Sequence, residues 1–215
     1  DYFRKNNIKK ALLGLSGGID SALVVVLAVE ALGKENVIGV LLPSEYSTSH
    51  SITDAKASAE NLGIEYYTIP IKETFTSALT ALSPIFEGKE PNVAEENLQS
   101  RIRGMILMGI ANKIGAALLN TTNKSELSVG YGTLYGDTNG AIGALGDIFK
   151  TDVWEMSRWI NRNEEIIPQN SIIKAPSAEL RPDQKDTDSL PDYDILDKVL
   201  FLHLEQRLSR EEIIN

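Results

Sequence analysis

The sequence predicts an α/β fold: a parallel sheet with helices on both faces, followed by a helical C-terminal extension. Three observations predict it. Short apolar, β-branched runs alternate with segments of helical periodicity, and strands separated by helices imply parallel neighbours joined by right-handed crossovers. A glycine-rich turn joins the first run to the first helix. The composition, 42% hydrophobic and 24% charged over 215 residues, is that of a globular protein read here as one domain spanning residues 1–215.

Residues 10–15 (KALLGL) form the first expected strand, and a helix follows from about Asp20 to Leu32. That helix (SALVVVLAVEAL) is apolar nearly all round, so it is expected to be buried on most faces, and Gly33 suits its C-terminal stop. Residues 37–42 (VIGVLL) are the second strand, 51–62 the second helix and 65–69 the third strand. A third helix runs over residues 72–86. A loop with Gly88 and Pro91 leads into a longer helix, residues 94–114, with Leu98, Ile102, Met105, Ile106 and Gly109 on one face. Residues 116–120 (AALLN) are a short fourth strand. Residues 121–150, rich in glycine and hydroxyl side chains, read as one long functional loop. Helices are expected at 151–161 and 192–208, joined by a polar, proline-marked and mobile connection at 168–191.

Charge and cysteine content exclude several functions. Twenty-one Lys and Arg against 30 Asp and Glu leave a formal charge of -9, which argues against nucleic-acid or anionic-membrane partners. The absence of cysteine removes thiol nucleophiles, zinc ribbons and iron–sulfur ligation from this chain. No apolar run approaches the ~20 residues of a spanning helix and no signal-peptide pattern opens the chain, so a cytoplasmic location is expected. The start at Asp1 reads as part of a longer protein.

The strongest motif is Gly14-Leu15-Ser16-Gly17-Gly18-Ile19-Asp20-Ser21, at the junction of the first strand and helix. Glycines let backbone N–H groups converge at a helix start, whose positive potential suits a phosphate; Ser16 and Ser21 add hydroxyls. No lysine follows, so the loop is not one that grips a γ-phosphate through GxxxxGK[ST], and it is not GxGxxG. Asp20 could simply complement the helix dipole. An acid beside a polyphosphate, however, calls for a divalent cation between them, so the loop and Asp20 together read as a Mg²⁺–pyrophosphate site.

Other residues keep two readings. Asn97 and Arg101 are four apart and share a helix face that suits an anionic ligand or a solvated helix start, while Arg103 points elsewhere. Glu126 is three residues beyond Asn123, a capping-box spacing, yet a carboxylate there could face Asp20 across the strand ends. Neutralising Asp20 would then relieve repulsion with Glu126. Lys150 opens a helix, where the dipole disfavours a cation, which mildly favours a ligand role. Ser177 reads as a turn cap, His50 and His203 as surface or packing residues, and Trp154 and Trp159 as core. The GYGTLYG run at 130–136 does not link a strand to a helix and is not a dinucleotide fingerprint.

SGGIDS after a first strand resembles the loop of ATP pyrophosphatases, which cleave ATP between the α and β phosphates. EENLQSRIR (95–103), TTNKSELSVGYGTLYGD (121–137) and SAELRPDQKDTDSLPDYD (177–194) resemble NAD synthetases in order along nearly the whole chain. The likeness is greatest to the synthetase half of the glutamine-dependent enzymes. The resemblance implies an adenine-nucleotide α-hydrolase-like, Rossmann-like sheet and the ATP-dependent amidation of deamido-NAD to NAD. It implies ATP contacts at residues 14–21, Thr121, Lys150 and Ser177, and deamido-NAD contacts at Asn97, Arg101, Glu126 and Asp137. It gives Asp20 and Glu126 to Mg²⁺, and makes Asp20 and Lys150 the catalytic pair. It further implies a homodimer, for which the 94–114 helix with Gly104, Gly109 and its methionines is the expected interface, and a glutaminase as ammonia source. Some ammonia-dependent members carry lysine where this chain has Leu134 and aspartate where it has Ala141, which places the chain nearer the glutamine-dependent group. Two rivals share the loop: another amide-forming ATP pyrophosphatase, such as a GMP synthetase core, and a silent nucleotide-binding module.

Overall fold

A computed structural model describes residues 1–214. After a short helix α1 (Tyr2–Lys5), the chain runs β1 (Lys10–Gly14), α2 (Ile19–Leu32), β2 (Val37–Leu41), α3 (Ser49–Leu62), β3 (Glu65–Thr68), α4 (Lys72–Phe86) and α5 (Val93–Ile114). It continues with β4 (Ala116–Asn123), α6 (Lys124–Val129), β5 (Ile142–Leu145), α7 (Lys150–Ile160), α8 (Gln169–Ile173), α9 (Tyr193–Leu200) and α10 (Arg210–Ile214). The strands form one sheet in the order β3-β2-β1-β4-β5, with every neighbouring pair parallel.

Both faces of the sheet are covered, so its strands are apolar on both sides and alternate between two cores. Leu12, Ile38, Val40 and Leu118 pack with Ile71, Ile102 and Ala111 under α4 and α5. Ala11, Leu13, Val37, Leu41 and Leu119 pack with α2, Ala55 and Ala59 of α3, and Val153 of α7. The apolar α2 sits in the second core with Leu23, Val24 and Val25 fully buried, and Gly33, at φ 84°, accepts its end.

The expected 121–150 loop is corrected. β4 continues through Thr121 and Thr122 to Asn123, α6 follows, and β5 closes the edge, leaving residues 130–141 as the true loop. The polar end of β4 hid the strand: Asn120, Thr122 and Asn123 are buried, but their hydrogen bonds serve a site rather than a core. β5 has four residues, too few to show a period.

The connection at 168–191 is not free. Its helix α8 is tied to the glycine loop by Ser171 Oγ donating to Gly17 O (2.8 Å), and Asn170 donates to Asp54 (2.6 Å). The last expected helix is shorter than drawn: α9 ends at Leu200 and widens into a π turn over Phe201–Glu205. Trp154 does join the core, edge-on to Tyr193 at 5.9 Å, but Trp159 is 63% exposed with Arg162 stacked 3.6 Å from its ring.

Candidate active site

Chain order reverses at β1, which lies between β2 and β4, so a crevice opens beyond the carboxyl ends of β1 and β4. The glycine motif fills the first of these ends. Ser21 Oγ donates to Gly18 O (3.0 Å) and accepts from Ser16 N (3.3 Å), while Ser16 Oγ accepts from Gly18 N (3.1 Å). These bonds close the turn around α2. The N-cap, Gly18, brings no side chain, and among the described residues no side chain caps the first turn of α2. Gly17 has φ 78°, and a Cβ there would lie 2.2 Å from Ser51 O, so α3 can press against the loop only because residue 17 is glycine.

The end of β4 supplies the opposing wall. Asn123 and Glu126 form a reciprocal capping box: Glu126 N donates to Asn123 Oδ1 (3.0 Å) and Asn123 N donates to Glu126 Oε2 (3.1 Å). The cap reading of Glu126 therefore holds. Its other oxygen, Oε1, faces Lys150 Nζ at 3.8 Å, so cap and site are one feature. Asn123 Nδ2 donates to Asp20 Oδ1 (2.9 Å), and Lys150 Nζ reaches Asp20 Oδ2 at 2.5 Å. Asp20, Glu126 and Lys150 thus share one locus, with the lysine 2% exposed. The Trp154 and Tyr193 rings lie 5.7 and 5.4 Å from its ammonium.

The electrostatics follow from this crowding. Burial, reinforced by the Asp20 charge, pushes the Glu126 carboxyl from its ordinary 4.5 up to about 8, with Lys150 opposing. Burial disfavours the Lys150 ammonium, but Asp20 and Glu126 outweigh it and hold its pKa above the usual value. Near neutrality Lys150 stays charged and Asp20 is its closest counter-ion.

Glu126→Gln separates the two duties of this residue. An amide still accepts the Asn123 N–H, so stability below about pH 4.5, where the carboxyl is protonated in both states, should change by less than about 1 kcal/mol, while turnover near neutrality should fall by orders of magnitude. A carboxyl whose folded pKa is raised binds its proton more tightly in the folded state. Its contribution to stability therefore falls as pH climbs from about 4.5 to about 8. Urea titrations should show the wild type losing stability relative to the glutamine variant across that window. Unchanged turnover would leave Glu126 a cap alone.

Residues beyond the motifs hold these groups in place. Asp197 of α9 accepts from Ser125 Oγ (2.5 Å) and Thr151 N (2.8 Å), and Ser125 Oγ accepts from Lys150 N (2.9 Å). One buried carboxylate thereby sets the starts of both α6 and α7. Asp186 accepts from Tyr131 OH (3.1 Å) and Tyr193 OH (2.8 Å). Neither aspartate stood out in the sequence, because each acts across 46 to 72 residues or through a phenol rather than at motif spacing.

A cavity of about 300 Å³ joins these parts. It is lined by Gly14, Leu15, Ser16, Gly18, Ile19, Asp20 and Ser21, and by Thr121, Glu126, Asp137, Lys150 and Ser177; Gly17 stands behind the loop. Asn97 and Arg101 lie outside it. They share a face as their spacing requires, but both hold the 130–141 loop: Thr133 Oγ1 donates to Asn97 Oδ1 (2.7 Å), and Arg101 Nε donates to Leu134 O (3.2 Å). Asp137 braces the same loop, accepting from Thr133 N (2.5 Å). Arg103 does point elsewhere than its neighbours, and that elsewhere is the cavity. Gly104 is corrected as an interface residue, since a Cβ there would lie 2.7 Å from Tyr135 O; the surface of α5 that remains open carries Met105, 58% exposed.

Among the described residues no cluster of three acidic, histidine or cysteine side chains could hold a metal ion by itself. Asp20 and Glu126 still fit Mg²⁺, which takes one or two carboxylates and completes its shell from phosphate and water.

Residues 1–215 match the family model for NAD synthase. The chain is 58% identical over 215 residues to a glutamine-dependent NAD(+) synthetase of Synechocystis sp., covering 100% of this chain and 38% of that protein. The structure of glutamine-dependent NAD+ synthetase from Acinetobacter baumannii in complex with ADP aligns with TM-score 0.80 at 39% identity, covering 100% of this chain and 38% of that one. NMN synthetase from Francisella tularensis aligns with TM-score 0.84 at 31% identity, covering 92% of this chain and 79% of that one. The chain thus spans about two fifths of the length of its glutamine-dependent relatives.

Proposed function

Because the chain belongs to the NAD synthase family, we propose that it is a synthetase domain that amidates deamido-NAD to NAD, with cleavage of ATP to AMP and pyrophosphate. The observation that carries this reading is the meeting, in one cavity, of an uncapped glycine-rich helix start with Asp20, Glu126 and Lys150. Such a site binds and splits a polyphosphate. The ADP complex of the Acinetobacter baumannii relative supports nucleotide use.

A carboxylate is a poor acyl donor to an amine, so the nicotinate carboxylate attacks the α-phosphorus of ATP and pyrophosphate leaves. Ammonia then attacks the acyl carbon of the adenylate, AMP departs, and the amide remains. The N–H groups of the 16–21 loop hold the leaving pyrophosphate. Lys150 offsets its charge beside Asp20. Asp20 and Glu126 would hold Mg²⁺, which supplies charge neutralisation on the phosphates when bound. No side chain forms a covalent intermediate, so catalysis rests on positioning and electrostatics. Thr121 and Ser177 contact ATP. Asn97, Arg101 and Asp137 shape the 130–141 loop, along which we place deamido-NAD. A homodimer through the outer face of α5 and a cytoplasmic location complete the reading; among the described residues no helix is long and apolar enough to cross a membrane.

The glutamine-dependent relatives, which are longer than this chain, support a glutaminase as the ammonia source. Amide hydrolysis through a thioester needs a thiolate, and this chain has no cysteine. Incubated with ATP, Mg²⁺, deamido-NAD and ammonium, the chain should form NAD and AMP in equal amounts. It should form none when glutamine replaces ammonium, and nicotinate mononucleotide should be the poorer acceptor. NAD made equally well from glutamine by the purified chain, or a clear preference for the mononucleotide, would contradict this reading.

A further inference from the structure

Three cations line the cavity, and two have counter-ions. Lys150 pairs with Asp20 at 2.5 Å, and Lys174 faces Asp54 at 3.8 Å while donating to Ser51 Oγ. The third is Arg103, from the face of α5 that turns toward the ends of β1 and β2. Its Nε donates to Leu42 O (3.0 Å), and among the described residues this is the only hydrogen bond its side chain makes. No carboxylate of those residues lies within 4.0 Å of it. Burial lowers its pKa from 12.5 to about 10, and the more distant Glu179 and Asp137 only partly restore it.

A partly buried guanidinium without a counter-ion is unfavourable unless a ligand provides one. Arg103 is also oriented for one. With Nε committed to the end of β2, the planar head is fixed, and its remaining N–H groups present the fork that takes two oxygens of a phosphate at once. Leu15 N donates to Val40 O (2.9 Å), so the glycine loop lies one strand from this anchor.

From this geometry we infer that Arg103 is a substrate-binding residue whose guanidinium takes a phosphate group of a bound nucleotide at the β2 end of the cavity. This rests on the NAD synthetase reading, which supplies two sources of that chemistry: the α-phosphate that stays with adenosine, and the diphosphate of deamido-NAD. The inference adds a third anion-binding element to the glycine loop and Lys150. It also explains why α5 carries Arg101 and Arg103 on different faces, one bracing a loop and one facing ligand.

Calorimetric titration of the chain and its Arg103→Met and Arg103→Lys variants with adenosine, AMP and deamido-NAD tests it. Arg103→Met should weaken AMP or deamido-NAD by roughly tenfold to a hundredfold, as loss of hydrogen bonds to a charged group does, and leave adenosine unchanged. A loss in AMP assigns the nucleoside phosphate, and a loss in deamido-NAD alone assigns the dinucleotide. Arg103→Lys keeps the charge without the fork and should recover part of the loss. If the methionine variant does not fold, the lysine variant decides, with a severalfold phosphate-dependent loss expected. Unchanged affinity for all three ligands overturns the inference. So does an equal loss for adenosine, because Arg103 would then only shape the end of β2 through Leu42. A wild-type chain that binds neither nucleotide overturns the synthetase reading itself, and this inference with it.

Discussion

Asp20→Asn is expected to lower NAD formation by about 10²–10³-fold, the loss typical when one preorganised electrostatic group at a reacting centre is removed. The asparagine keeps an acceptor for Asn123 Nδ2 but not the charge that faces Lys150. Pyrophosphate release should fall with NAD formation, since both follow from the same step. Near-wild-type release at ordinary Mg²⁺ would contradict the role given to Asp20. The structure also reverses the expectation that this change relieves strain. Asp20 is the nearest counter-ion of a lysine only 2% exposed, so its loss should cost up to about 3 kcal/mol, with Glu126 at 3.8 Å taking over part of the pairing.

Lys150→Met should have the larger effect on stability. It leaves Asp20 and Glu126 facing each other in a partly buried site, 18% and 15% exposed, without the cation between them. The penalty for such an uncompensated charge is about 3–5 kcal/mol. Its pH dependence has a definite sign. Removing the ammonium takes away the charge that opposes the rise of the Glu126 pKa, so the folded variant keeps a proton above pH 8 that wild type and the unfolded chain have lost, and the deficit grows as pH rises past about 8. Urea unfolding of the variant should lie closer to wild type at pH 7 than at pH 9. Equal differences at the two pH values would mean that Lys150 is not what neutralises the pair.

Much of this site was legible in the sequence because it sits where local rules are strong. The glycine loop had to follow a strand and start a helix, and it does. The Asn123–Glu126 spacing announced a cap, and the cap aims the remaining carboxylate oxygen at Lys150. What stayed hidden was tertiary. β5 was invisible because a four-residue edge strand shows no period. Asp197 sets two helix starts from a third helix, so nothing near Ser125 or Thr151 in sequence signals it. Helix spacing turns Arg103 away from Asn97 and Arg101, which is correct about the helix and silent about where the cavity lies. Helix periodicity says which side chains share a face, and packing alone says what that face meets.

The central claim is that the nicotinate carboxylate attacks the α-phosphorus of ATP at the Asp20–Glu126–Lys150 site. Deamido-NAD labelled with ¹⁸O in that carboxylate, turned over with ATP, Mg²⁺ and ammonium, tests it most directly by mass analysis of the products. Attack through the carboxylate places one ¹⁸O in the AMP phosphate and none in pyrophosphate. Unlabelled AMP, or ADP formed together with labelled phosphate, would contradict the account.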